Sequence, residues 1–259
     1  MKFNLHTHTY RCHHADGTDE EYVLAAIESG YDMIGFSDHA PYLFPLGHKS
    51  GFRMDTADAE GYVNSIRSLQ DKYSHKIQIK LGFETEYYPN LIDRELAYLA
   101  QFDYDYLILG QHFTFNEYEP WAKYAGAKTD SVATLDRYIS QVTAAARSGK
   151  FTYICHPDLI NFTGDRQLYL QKMHDMLSEL KKTDIPLEYN FYGYFDNRQY
   201  PAKDFWQMVR QVGNPVVVGL DAHWPGVYAD RRIDDMLKEI ADLGIKPIEE
   251  IKLIGAKKS

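Results

Sequence analysis

The sequence has 259 residues and a formal net charge of -9, from 28 basic and 37 acidic side chains, which argues against a nucleic-acid partner because a phosphate backbone needs a basic face. No stretch approaches the roughly 20 apolar residues of a membrane span, and the start MKFNLHTHTY lacks a signal-peptide pattern, so a cytoplasmic protein with no membrane partner is expected. Hydrophobic residues make up 44%, with 21 Tyr and 13 Phe, enough for a large core, while two cysteines, Cys12 and Cys155, cannot form a disulfide framework.

In chain order, Phe3 to Thr9 (FNLHTHT) reads as a strand. Thr18 then caps a helix through EEYVLAAIES, with Glu21 at the capping-box position and Gly30 as the stop. Met33 to His39 (MIGFSDH) is a second strand, and Asp55 to Lys72 a helix, with Tyr62, Ile66 and Leu69 at helical spacing. Ile77 to Glu86 and Tyr104 to His112 are the next strands, with a helix between them near Leu91 to Ala100. Then come a helix from Asp130 to Arg147, a strand from Phe151 to Pro157, a helix from Leu168 to Lys181 and a strand from Pro186 to Phe191. A helix from Lys203 to Val212, a strand from Pro215 to His223 and a helix from Asp230 to Leu243 complete the pattern. Each strand is short, apolar and bounded by Gly, Pro or Asp, as buried parallel strands are.

Seven strand-then-helix units predict an α/β chain, residues 1–259 forming one domain, as either a closed barrel or an open doubly wound sheet. Both gather functional groups beyond the carboxyl ends of the strands. His6 and His8 end the first strand, with His14 in the loop behind them. His39, Glu84, His112 and His156 end the second to fifth strands, and Asp221 and His223 the seventh. The i, i+2 spacing of His6 and His8, and of Asp221 and His223, puts each pair on one strand face. An open sheet would hold the first and last strands apart, so convergence of these side chains predicts a barrel. His48, His75 and His174 fit ordinary surface histidines, and Cys12 and Cys155 read as small loop and core residues.

Nine such donors exceed the roughly four that one zinc takes and suit two or three metals with a bridging carboxylate. Imidazole with carboxylate points to Zn, Fe or Mn rather than Mg or Ca. Arg166 in TGDR and Arg198 in DNRQYP follow the fifth and sixth strands, where a guanidinium could grip phosphate; Arg53 and Arg11 are weaker candidates. Phe191, Tyr192, Tyr194 and Trp224 lie at the same end, where they could stack on a substrate ring.

HTHT, SDH, the glutamate of GFETE, GQH, CHP and DAH, in that order, resemble the PHP family, named for polymerase and histidinol phosphatase. The resemblance covers nearly the whole chain. It implies a distorted (β/α)7 barrel with three divalent transition metals, zinc first among them. His6, His8, Glu84 and Asp221 would hold the first metal. Glu84 would bridge to a second held by His112 and His156, and His14, His39 and His223 would hold the third. His14 is selected over His13 by its distance from the second motif histidine. Glu84 and Asp221 would serve catalysis by activating a metal-bridging hydroxide for attack on phosphorus.

Within the family, CHPDLINFTGDR and EYNFYGYFDNRQYP are similar to histidinol-phosphate phosphatases, which implies hydrolysis of L-histidinol phosphate, a small phosphorylated substrate, in histidine biosynthesis. The aromatic sixth-strand segment and the loop from Pro41 to Asp55 depart from that pattern. Three rivals remain: a phosphodiesterase of the same family, a nuclease-like module, and a non-catalytic metal-binding scaffold. Metal content and a panel of mono- and diesters separate them. The sequence leaves the oligomeric state and the general acid open.

Overall fold

The computed structural model describes residues 1–256. The expected strands form, each shorter than its apolar run: β1 (Phe3–Asn4), β2 (Met33–Phe36), β3 (Gln78–Thr85), β4 (Tyr106–Leu109), β5 (Tyr153–Ile154), β6 (Leu187–Asn190) and β7 (Val216–Gly219). They pair in parallel in simple sequence order. The β1 and β7 ends close on each other beyond the strands: His8 N–H donates to Ala222 O at 2.9 Å and Ala222 N–H to His6 O at 3.0 Å, a parallel bridge at Thr7 and Ala222. Below it the Asn4 side chain accepts from Leu220 N–H at 2.9 Å, replacing a missing ladder bond. The result is a distorted (β/α)7 barrel.

Helices cover the outside: α1 (Asp19–Glu28), α2 (Ala59–Tyr73), α3 (Ile92–Ala100), α4 (Val132–Ser148), α5 (Arg166–Lys181), α6 (Phe191–Phe195), α7 (Lys203–Val212) and α8 (Arg232–Asp242). The Thr18–Glu21 capping box is present at α1. Ser131 and Asp165 cap α4 and α5 through their side chains, satisfying amides that would otherwise lack partners. Two helices differ from expectation. α2 begins at Ala59 rather than Asp55, because residues 55–58 form a turn, and Asp58 makes no side-chain cap. The short α6 follows β6 directly because the Asn190 side chain accepts from Gly193 N–H at 2.8 Å and starts a helical turn. No helix among the described residues is long and apolar enough to cross a membrane.

The main core lies between the strands and helices. A second, smaller core fills the barrel with Leu5, Met33, Tyr106, Ile108, Tyr153, Cys155 and Val217. The segment after α8 seals its floor. Ile248, Ile251 and Leu253 pack on this inner core, and the backbone is tied by Ile248 N–H to Val216 O at 2.8 Å and Ala256 N–H to Tyr104 O at 3.0 Å. With the bottom closed by apolar side chains, only the carboxyl-end mouth remains for polar groups.

One buried carboxyl outside the mouth has a consequence for stability. Glu95 of α3 is fully buried; Oε2 accepts from Leu43 N–H at 2.9 Å, and Oε1 has no partner. Burial pushes this carboxyl up to about 7, with the Leu43 amide and Arg53 pulling the other way. The folded protein therefore keeps a proton that the unfolded chain, titrating near ~4.3, has released. The resulting cost is absent below the unfolded value, grows as pH rises toward 7, and is complete above it. Between pH 5 and 8 the wild type should lose about 2–3 kcal/mol relative to Glu95→Gln. Denaturant midpoints at both pH values measure this, and parallel pH dependence in the two proteins would contradict it.

Candidate metal centre

The structure brings His6, His8, His39, Glu84, His112, His156, Asp221 and His223 together at the mouth, all but His112 buried. His14 joins them from the loop after β1. A short turn over Tyr10–Cys12 ends at His13 in the left-handed conformation (φ 69°), leaving His13 exposed while His14 lines the cavity. His156 (φ 30°) and Asp221 (φ 50°) also take positive φ, a backbone cost that surrounding structure must hold in place at functional positions.

The innermost group has the dimensions of a metal cage. Five separations among His6 Nε2, His8 Nε2, Glu84 Oε2 and Asp221 Oδ1 run from 3.1 to 3.6 Å. Four donors at the ~2.0–2.1 Å bond length of zinc in a tetrahedron would sit about 3.3–3.4 Å apart. The hydrogen bonding agrees. His6 Nδ1 faces Glu188 Oε1 at 2.8 Å and His8 Nδ1 faces Asp38 Oδ1 at 3.4 Å, so each Nδ1 carries the proton. That leaves two Nε2 lone pairs facing each other at 3.1 Å. A proton could bridge one pair of these four atoms; a cation at their centre satisfies all four.

Glu84 extends the cage on both sides. Oε1 lies 3.1 Å from His156 Nε2 and 3.6 Å from His112 Nε2, while Oε2 lies 2.9 Å from His39 Nδ1. The last contact is close but misaligned, so Glu84 Oε2 and His39 Nδ1 both lack a hydrogen bond. Orphaned polar atoms in so buried a place are costly and point to a missing cationic partner. His14 Nδ1 donates to Cys12 O at 2.7 Å and His223 Nδ1 to Asp221 O at 2.9 Å, freeing both Nε2 atoms. The His14 ring lies 5.4 Å from His39 and 4.8 Å from His223. The residues present therefore fit bound divalent metals.

Electrostatics point the same way. Burial pushes the Glu84 carboxyl up, but His112, His39 and His6 hold it well below the usual range. Burial and neighbouring His8 push His39 well down, and the same two causes bring His223 to about 3. Against burial, Glu188 and Asp221 raise His6, Asp221 and Asp38 raise His8, and Glu84 and Glu86 raise His112, so the carboxylates at the mouth draw positive charge to the places where bound cations would sit. Glycine makes room for it: a Cβ on Gly110 would stand 1.9 Å from Glu84 Oε1, and one on Gly219 would stand 1.7 Å from Glu188 Oε1.

Sequence reasoning missed the carboxylates that orient the imidazoles. Glu188 of β6 holds His6 Nδ1 and also accepts from His156 N–H at 3.1 Å. Glu86 accepts from His112 Nδ1 at 2.9 Å. Asp38, from the SDH motif, also takes the Thr9 hydroxyl. A glutamate inside the otherwise apolar strand PLEYNF was the available signal for Glu188. Cys12 and Cys155 are both buried and unpaired, as loop and core residues.

Above the metal cage is a cavity of about 280 Å³. Its walls include Phe52, Phe113, Tyr124, Tyr192 and Tyr200, and its cation is Arg198. Arg198 Nε pairs with Asp196 at 2.9 Å and the guanidinium lies 4.6 Å from the Tyr192 ring. Arg166 is a correction to the sequence reading. It opens α5, pairs with Asp204 and lies 4.5 Å from the Tyr169 ring, outside the cavity, because the first helical turn points it along the outer surface. Of the four aromatics proposed to stack on a substrate, only Tyr192 lines the cavity; Phe191 is in the core, Tyr194 packs against it, and Trp224 stands behind Tyr192 at 6.4 Å.

The chain resembles proteins of known name and structure. It is 31% identical to a Deinococcus radiodurans protein named "Probable histidinol-phosphatase", over 92% of each chain. It is 30% identical to the histidinol-phosphatase of Bacillus subtilis over 44% of each chain. A solved structure from Listeria monocytogenes superposes with a TM-score of 0.73 at 22% identity, covering 90% of this chain and 99% of that one. The histidinol phosphate phosphatase of Lactococcus lactis, solved with zinc, L-histidinol and phosphate, superposes with a TM-score of 0.71 at 18% identity, covering 97% and 98%. At these identities the two structures establish the shared fold. The PHP domain profile matches residues 4–191, which include seven of the nine donors in their expected order, and with the Deinococcus relative this places the chain in the PHP domain family.

Proposed function

We propose that this protein hydrolyses a small phosphate monoester, L-histidinol phosphate, to the alcohol and phosphate at a centre of three divalent metals, zinc first among them. The observation that carries the chemistry is the tetrahedral spacing of His6, His8, Glu84 and Asp221 beneath a cavity that holds Arg198. His112 and His156, sharing Glu84 with that set, would hold a second metal; His14, His39 and His223 would hold the third. The substrate is supported by the name of the relative that matches across 92% of the chain. Residues 1–259 act as one unit in a reducing cytoplasm, without nucleic-acid or membrane partners. The single unit is supported by the bridge that closes β7 on β1 and by the segment after α8 that seals the barrel floor, and the reducing cytoplasm by the two free cysteines.

When bound, the metals supply Lewis acidity toward phosphoryl oxygens and lower the pKa of water to roughly 7. The chain's own residues do the rest. Glu188, Asp38 and Glu86 hold the Nδ1 atoms of His6, His8 and His112, which keeps each Nε2 lone pair aimed inward. Arg198 offers charged N–H donors to the nonbridging phosphate oxygens as negative charge builds on them. The aromatic walls take the organic part of the substrate and keep bulk water out.

Arg198→Ala should lower kcat/KM by tenfold or more, the kinetic equivalent of the roughly 1.5–3 kcal/mol of a charged hydrogen bond, with metal content unchanged. Loss of metal alongside activity would give Arg198 a structural role instead. The substrate is tested by comparing kcat/KM for histidinol phosphate with other small monoesters and with diesters. Histidinol phosphate is expected to lead. A tenfold preference for a diester or a sugar phosphate would overturn the substrate while leaving the metal-dependent phosphoesterase reading intact.

A further inference from the structure

Between β2 and α2 the chain runs through PYLFPLGHKSGFRMD, residues 41–55, with one short turn at Pro45–Gly47 as its only helical element. An arginine on such a loop ordinarily reaches solvent. Arg53 is instead 2% exposed. Its guanidinium binds three separate parts of the barrel mouth. Nη1 donates to Ala40 O at 3.1 Å and Nη2 to Glu86 Oε1 at 3.0 Å. Nη2 and Nε both donate to Glu117 Oε2, at 2.7 and 3.1 Å. Glu86 Oε1 is the same oxygen that accepts from His112 Nδ1 at 2.9 Å. The neighbouring residue, Phe52, lies 4.4 Å under the guanidinium, and its ring meets His39 and His112 at 5.0 and 5.9 Å.

We propose that Arg53 is a positioning residue for His112, so that the metal position shared by His112 and His156 and the cavity wall formed by Phe52 assemble together. The proposal rests on the reading of His112 and His156 as donors to one metal. A planar guanidinium gripping two carboxylates from different loops leaves little freedom to either. Glu86 therefore presents Oε1 in one place, and the His112 ring, held there through Nδ1, keeps Nε2 directed at Glu84 Oε1, 3.6 Å away. Without Arg53, Glu86 would be a buried carboxylate short of its main counter-charge, free to turn, and the His112 ring would turn with it. The chain Glu117–Arg53–Glu86–His112 runs through three loops far apart in sequence, and Arg53 is the link they share.

The test is a chelator titration of the full-length protein loaded with zinc alone, counting the equivalents retained, with folding followed by circular dichroism. His112→Ala marks which equivalent depends on His112. Arg53→Met should release that same equivalent at about tenfold lower chelator concentration, with the other equivalents unchanged. Arg53→Lys, which keeps the charge but not the fork, should recover part of the loss. Folded Arg53→Met protein that releases zinc like the wild type, or that loosens every equivalent alike, overturns the proposal. If Arg53→Met does not fold, Glu117→Gln decides: selective weakening of the His112 equivalent supports the proposal and wild-type release overturns it. A His112→Ala protein that keeps every equivalent would overturn the metal reading beneath it.

Discussion

Glu84→Ala is expected to lose activity by orders of magnitude and to lose metal, while the barrel stays folded. No other side chain touches as many of the candidate donors. Its two oxygens lie within 3.6 Å of ring nitrogens of His6, His8, His39, His112 and His156. Removing it takes away the one negative group shared by the inner cage and the His112–His156 pair. The imidazoles left behind repel any metals they still hold. The fold should survive because Glu84 points into the polar mouth, not into either apolar core, and water can fill the space that Gly110 leaves beside it. Elemental analysis, circular dichroism and turnover on one preparation decide the matter. Near-normal turnover would remove Glu84 from its bridging role.

Stripping the metals is the second large effect. Protein purified without chelators should carry close to three transition-metal ions per chain; one or none would contradict the three-site reading. Chelation should abolish activity, and added zinc should restore it. The stripped protein should also be less stable. Without cations, the Nε2 atoms of His6 and His8 face each other at 3.1 Å, and Glu84 Oε2 and His39 Nδ1 have no hydrogen-bond partner. Ligand linkage contributes about 4 kcal/mol for one site at a thousandfold excess over its Kd. For a chain of this size that corresponds to a fall in Tm of roughly 10 °C or more on stripping. Calorimetry with and without zinc measures it, and equal Tm values would mean that the metals add nothing to the folded state.

Much of this was legible in the sequence because the relevant signals are local. Short apolar runs alternating with amphipathic ones follow from the pleat and the helical turn, and each of the seven strands falls inside its expected run. Donors at the carboxyl ends of six strands needed only those assignments plus the two-residue repeat that puts His6 beside His8. The capping box at Thr18 and Glu21 was equally local. What the sequence could not determine is how far each side chain reaches once the barrel closes. Glu188 meets His6 across 182 positions, and Arg53 meets Glu117 across 64. Neither pairing leaves a periodic trace, because it depends on strand register and on loop paths that no repeat encodes. Arg166 and Arg198 looked alike in sequence, each just past a strand. The tertiary structure separated them: a helix start turns Arg166 outward to Asp204, whereas the turn after α6 leaves Arg198 among the tyrosines of the cavity. Local chemistry thus named the candidate metal donors, while closure of the barrel and the course of its loops chose the groups that orient them and the arginine that lines the cavity.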